Sequence, residues 1–242
     1  MNGLFGRLAL LVAIAAAILV AGAGPAYRYG GVELGQAFQF LMWGVYAAAG
    51  AGALAVLWVV FALIGRSTNG LAAFVLALLL AGGAAYFPLA MKAQGDAVPP
   101  IHDITTDTAN PPPFVAIAPL RAESKNGVDY NAAENAEAQQ KAYADIQPLV
   151  TDVPPADMFK RAEATARAMG WEIVAAEAGE GRIEATDTTM WFGFKDDVVI
   201  RIVAEGSGSR LDIRSMSRVG KSDLGKNAER IRAFLTAVKA AK

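Results

Sequence analysis

The 242-residue sequence contains no cysteine and a single histidine, His102. Without cysteine the chain can form neither a disulfide nor a thiolate metal site, and one histidine leaves too few strong ligands for a zinc centre. We therefore expect no metal ion and no cofactor. The lack of thiols also fits an oxidising compartment, in which a stray cysteine would be a hazard.

Charge is almost missing from the first 91 residues. Four ionised side chains occur there: Arg7, Arg28, Glu33 and Arg66. Three apolar runs fill this region: Leu8–Gly24, Phe40–Ile64 and Leu71–Met91. Each has roughly 17 to 25 residues, enough to cross about 30 Å of hydrocarbon as a helix. The pattern predicts a three-span anchor over residues 1–92, with the lipid bilayer as its partner.

The cations between the spans predict the orientation of the chain. Arg7 precedes the first span and Arg66 lies between the second and third, which places both on the cytoplasmic side. Lys92, just after the third span, is an exception, because the same assignment places it on the non-cytoplasmic side. With three spans, the N-terminus is cytoplasmic and the C-terminal domain lies across the membrane, which is the periplasm for a bacterial inner membrane. Alternatively, the first run is a cleaved signal peptide, which leaves the domain on the same side.

Small residues recur at every fourth position of the second span, at Gly44, Ala48 and Gly52. Such spacing lets helices approach closely. Packing of the three spans against one another is the first interpretation, and a homo-oligomer or partner-helix interface is the second.

The polar remainder divides into a Pro-rich connector and arm, residues 93–126, and a domain, residues 127–242. One short helix is predicted around 132–143, another from Pro154 to Gly170, and a last one capped by Ser222 or Asp223. Alternation of apolar and polar residues predicts four strands: Trp171–Glu177, Arg182–Thr188, Val198–Glu205 and Arg210–Ser217. We therefore predict an α+β fold, with a four-stranded antiparallel sheet and two packing helices on one face.

Three segments carry a resemblance to a known family. They are the segments 101–107 (IHDITTD), 142–148 (AYADIQP) and 214–225 (RSMSRVGKSDLG). Together they resemble the bacterial and plastid family called domain of unknown function fourteen-ninety-nine, over roughly residues 101–235. Segments 183–186 and 191–194 are similar to that family too. Ala144 departs from the proline expected there, which puts the local turn in doubt. The resemblance implies no activity, because the function of the family is not established.

The candidate ligand site is the stretch from Arg214 to Asn227, because it combines cations, hydroxyls, a glycine turn and a helix N-terminus. Such a combination suits a phosphate or a carboxylate, or an acidic partner. The predicted site comprises Arg214, Ser215, Ser217, Arg218, Lys221, Ser222 and Asn227. The alternative is structural: Ser222 or Asp223 caps the helix, and Arg218 pairs with a carboxylate of its own domain, such as Asp187 or Asp212.

Charge is divided along the polar part of the chain. Residues 198–242 contain ten Lys/Arg and four Asp/Glu, whereas residues 93–197 contain eight and eighteen. The division predicts that the basic half holds its own acidic arm; an acidic partner or anionic lipid could use the same cations. Nucleic acid is not expected, given the compartment and a sequence pI of about 5.9. For the aromatic segment Trp191–Phe194 we favour a place in the domain core over an exposed contact patch.

These observations predict an inner-membrane protein whose periplasmic domain binds an envelope protein or an anionic ligand and is not an enzyme. A rival hypothesis is an envelope enzyme that uses His102 with Asp103. A third is a membrane assembly or scaffold protein that acts through its spans.

Overall fold

The computed structural model describes residues 2–241. In this part of the chain the helices are α1 (Asn2–Tyr29), α2 (Leu34–Gly65), α3 (Leu71–Asp96), α4 (Ala132–Ala142), α5 (Pro155–Ala168) and α6 (Lys226–Ala240). The strands are β1 (Asp103–Thr105), β2 (Leu149–Thr151), β3 (Glu172–Glu177), β4 (Arg182–Thr188), β5 (Lys195–Glu205) and β6 (Gly208–Ser217). A short 3-10 helix covers Ala118–Arg121.

The chain divides into two compact units. The first extends to Ala93 and includes Trp191–Gly193, and the second comprises Gln94–Met190 and the chain from Phe194 onward. The helices α1, α2 and α3 of the first unit are long and apolar enough to cross a membrane. The three predicted candidate spans are confirmed, and the helices extend beyond the apolar runs at most of their ends.

Small residues let α1 and α2 pack closely. A Cβ added to Gly44 would clash with a methyl group of Val20, so the missing side chain lets α2 approach α1 closely there. Ala48 is buried as well, whereas the space around Gly52 is open. Two of the three small residues singled out therefore serve contacts inside the helix unit.

The aromatic segment after β4 does not lie in the core of the domain. Phe192 is buried with its ring centroid 6.1 Å from that of Tyr27 and 5.8 Å from that of Phe38. The Trp191 indole N–H donates to the carbonyl of Ala21 at 3.1 Å. These partners belong to the helix unit, so the favoured interpretation of a domain-core segment is wrong.

The sheet of the second unit is antiparallel and has six strands rather than the predicted four. Its order is β1-β6-β5-β4-β3, and β2 pairs with the same β6 as β1 does. β1 lies beside residues 214–216 and β2 beside residues 209–211. Sequence alternation did not indicate β1 and β2, because a three-residue strand is too short to display a period of two.

One face of the sheet carries the apolar core. Ile183, Val198, Ile200, Leu211 and Ile213 point to this face and are fully buried. The apolar sides of α5 and α6 cover them, with the Trp171 ring stacked on that of Phe234 at 5.3 Å. Both predicted helices therefore lie on one face, as the sequence pattern indicated.

The opposite face of the sheet is polar, yet it is covered too. Residues 107–131, which we call the strap, run across it with little regular structure. Phe114 and Ile117 of the strap pack on Val199 and Met216 of the sheet. Polar strand residues such as Glu184, Asp197 and Arg214, which alternation would place in solvent, are consequently buried, and each needs a partner.

Candidate functional site

The predicted ligand residues separate into groups, because successive residues of β6 point to opposite faces of the sheet. Arg214 and Arg218 point to the strap face, whereas Ser215 and Ser217 point to the helix face. The structure therefore does not gather the seven residues into one cluster.

Arg214 is buried and forms a bidentate ion pair with Asp103 on β1. Its Nε lies 2.9 Å from Oδ1 of Asp103, and its second nitrogen lies 2.8 Å from Oδ2. The guanidinium also donates to the carbonyls of Pro112 and Val128, at 3.3 and 2.9 Å. It lies 4.9 Å from the ring centroid of Phe114. Arg214 thus joins the strap to the sheet, and its charge is balanced internally.

Ser215, Ser217 and Asn227 form a buried hydrogen-bond network between β6 and α6. The Asn227 amide nitrogen donates to the carbonyl of His102 at 2.9 Å and to Oγ of Ser217 at 3.0 Å. Its oxygen accepts from Ser215 at 2.6 Å and from Arg230 at 2.7 Å. Both ends of the amide are satisfied, as a buried amide requires.

Arg218 shares one carboxylate, Asp197, with Arg121 of the strap. Arg218 binds both oxygens of Asp197, at 2.8 and 2.9 Å, and Arg121 binds one at 2.7 Å. Burial works against ionisation of Asp197, but hydrogen bonds from Arg218, Thr186 and Arg121 outweigh it and hold its pKa below its ordinary value. The structural alternative for Arg218 holds, with Asp197 as its partner in place of Asp187 or Asp212.

Two guanidiniums face one carboxylate in the ion pairs around Asp197, so these pairs carry a surplus positive charge; the exposed Glu172 of β3 is a further acid that acts on Arg218. The pair of Arg214 and Asp103 is neutral by comparison. On the helix face the ratio is reversed, since Arg230 is shared by Asp187 and Asp196. The surplus therefore belongs to the strap face, at the end of the sheet where β5 begins and β6 ends.

The loop between β6 and α6 holds Lys221 and Ser222. The Ser222 hydroxyl accepts from the amide of Leu224 at 3.2 Å. Asp223 accepts from the amides of Gly225 and Asn227, at 2.8 and 2.7 Å, so a carboxylate already faces the start of α6. Burial raises the pKa of Asp223 against these hydrogen bonds. α6 itself begins at Lys226, later than the predicted cap.

Three exposed lysines lie on neighbouring segments at this end of the sheet: Lys125, Lys195 and Lys221. The Arg218 amide donates to the carbonyl of Lys195 at 3.0 Å. Asn126, next to Lys125, donates its own amide to the carbonyl of Arg218 at 3.1 Å and its side chain to that of Gly220 at 2.9 Å. We call Lys125, Lys195, Arg218 and Lys221 the basic rim.

The acids beside His102 are engaged elsewhere. Both oxygens of Asp103 accept from Arg214. Asp107 pairs with Arg201 at 3.2 Å and with Arg210 at 2.9 Å. These ion pairs confirm that the basic half of the chain binds acids of the arm. Among residues 2–241, no group of three or more His, Cys, Asp and Glu side chains could hold a metal ion.

Sequence reasoning missed Glu184 of β4, whose side chain is fully buried under the strap. The amides of Val115, Ala116 and Ile117 donate to its carboxylate at 2.8 to 3.1 Å. Arg182 binds the same carboxylate. Segment 183–186, which contains Glu184, carries part of the family resemblance. However, three successive backbone amides that converge on one carboxylate leave no signal in the pattern of side chains.

Comparisons with known proteins bear on the C-terminal part of the chain. No curated protein matches the chain. A family model described as "Protein of unknown function (DUF1499)" matches residues 103–238, which is more than half of the chain. The resemblance carried by the three sequence segments is thereby confirmed, and the chain, with three long apolar helices ahead of this domain, belongs to the DUF1499 family.

Proposed function

We propose that the protein is a membrane-anchored binding protein whose DUF1499 domain holds an anionic partner on the basic rim and catalyses no reaction. The observation that carries this proposal is the charge surplus at one end of the sheet. Two guanidiniums face the single carboxylate of Asp197 there, and three exposed lysines have no ion-pair partner among the described residues. The binding residues kept from the sequence prediction are Arg218 and Lys221.

The buried members of the predicted site have a structural role in this proposal. Arg214, Ser215, Ser217 and Asn227 satisfy one another or their neighbours, so a ligand could reach them only by breaking those contacts. The enzyme hypothesis is less well supported, because Asp103 would have to leave Arg214 in order to assist His102.

Charge reversal on the basic rim tests the proposal. We expect a photocrosslinking residue at Val219, between Arg218 and Gly220, to capture a partner in intact membranes. Lys125→Glu, Lys195→Glu and Lys221→Glu together should reduce that crosslink at least tenfold, because attraction becomes repulsion. Lys160→Glu on α5 is the control, since Lys160 is exposed as well. Crosslinking that survives the triple reversal would overturn the proposal.

For the orientation we propose a cytoplasmic N-terminus and a DUF1499 domain on the opposite side, periplasmic in a bacterial inner membrane. The support is the position of Arg7 and Arg66 beside the spans. Because the chain has no cysteine, single cysteines report accessibility without background. In intact cells we expect a membrane-impermeant maleimide to label Lys160→Cys, and to label Thr68→Cys in the α2–α3 loop only after permeabilisation. The reverse pattern would invert the topology.

A further inference from the structure

The basic rim is attached by a short piece of chain to a helix that can span a membrane. α3 ends at Asp96, and the carbonyls of Ile101 and His102 accept from the amides of Asp223 and Ser217, at 3.2 and 3.0 Å. Five extended residues reach at most about 18 Å. Lys221 precedes Asp223 by two residues, so its backbone lies within about 30 Å of the end of α3.

A second attachment lies next to Lys195. Trp191–Gly193 belong to the compact unit of the apolar helices, and Lys195 follows Gly193 by two residues. Two extended residues span about 7 Å, and a lysine side chain can extend its amine further toward water while its alkyl stem covers apolar surface. Lys195 is thus joined to the helix unit by only a few residues of chain.

The exposed, flexible lysines of the rim suit a partner that presents a mobile surface with many negative charges. They suit a shaped protein interface less well. The three lysines are exposed and unpaired within the described residues, and Glu123 is the acid nearest to Lys125 in sequence. Lysine is depleted from protein interfaces. In contrast, attraction to an anionic bilayer raises the binding constant about fivefold for each lysine near the surface. Three lysines acting together gain roughly a hundredfold.

We propose that the basic rim binds the phosphate groups of anionic phospholipids in the bilayer that holds α1, α2 and α3. This inference rests on the proposed function and names the class of its anionic partner. Because only short pieces of chain join the rim to the helices, its lysines meet the lipid at an effective concentration that the connecting chain sets. Binding of this kind weakens as salt screens the charges.

The test uses the full-length protein in nanodiscs of two compositions. One contains phosphatidylcholine alone and the other about one third phosphatidylglycerol. The rate at which an amine-acetylating reagent modifies each lysine is measured by mass spectrometry. We expect Lys125, Lys195 and Lys221 to react at least fivefold more slowly in the anionic discs, and 0.5 M NaCl to restore their rates. Lys160, on the exposed side of α5, should react equally in both discs.

Equal rates for the rim lysines in the two kinds of disc would overturn the lipid assignment. If the crosslink from Val219 still depended on the three lysines in that case, the anionic partner would be a protein. The proposed function would then stand without its lipid. If Lys160 slowed as much as the rim lysines, the effect would be a general one of the anionic disc and the assignment would fail.

Discussion

Arg214→Met is expected to lower the free energy of unfolding of the DUF1499 domain by about 3–5 kcal/mol, because it leaves the buried carboxylate of Asp103 without its counter-charge. Asp103 is fully buried, and both of its oxygens accept from Arg214. The carbonyls of Pro112 and Val128 lose a donor as well. Protease resistance of the domain, measured across a urea series on the full chain in detergent, gives the loss directly.

Arg232→Met is the matched control, since Arg232 also binds an aspartate in a bidentate fashion. Its contacts with Asp145 are as short, at 2.6 and 2.7 Å, but the two side chains are 44% and 58% exposed. An exposed pair contributes about 0–1 kcal/mol. The double variant Asp103→Leu with Arg214→Met should recover most of the loss, because no charge is then buried. Equal losses in Arg214→Met and Arg232→Met would contradict a special role for the buried pair.

The regular part of the fold was predictable because its elements are long enough to display a period. The helices and the four longer strands repeat their apolar residues over many positions, and the turns at Gly181 and Gly206 supply the positive φ that such turns require. β1 and β2 have three residues each. Strands of that length can be identified only from their pairing with β6. A single sequence does not show which segments pair.

The site was harder to predict for a different physical reason. Alternation along β6 predicts that Arg210, Asp212 and Arg214 leave the apolar face, but it does not say what covers the other face. The sequence alone does not show that the strap covers this face. A row of cations along one strand is therefore easily interpreted as a ligand-binding surface. The acids Asp103 and Asp107 were the available signal, since the division of charge along the chain already predicted that the arm and the basic half bind one another.

The strap also explains why three of the four residues of the basic rim are lysines. Guanidiniums form bidentate pairs at a lower entropic cost than flexible ammonium groups do. Arg121, Arg214 and Arg218 are accordingly used to hold the strap on the sheet. Lysines on the same segments remain in solvent. The basic rim therefore depends on the strap: it forms only while the strap remains bound to the sheet.

Glu184→Gln is expected to loosen the strap and to lower the free energy of unfolding by about 2–4 kcal/mol. The glutamine has nearly the same shape, so the change removes charge and one acceptor without creating a cavity. Its amide N–H₂ must face at least one of the backbone donors at Val115, Ala116 and Ile117, which then remains buried and unsatisfied. Arg182 loses its buried counter-charge at the same time.

Hydrogen exchange at the amides of residues 115–117 measures this loosening where it begins. We expect their exchange to accelerate at least tenfold in Glu184→Gln, since the bonds that protect them are the ones removed. Glu180→Gln is the control: Glu180 binds the same Arg182 but is 64% exposed, so its loss should change stability by about 0.5 kcal/mol or less. If the two variants matched, Arg182 alone would account for the effect. If Glu184→Gln acts as expected, it should also weaken crosslinking at Val219, because Lys125 and Asn126 lie on the strap that has come loose.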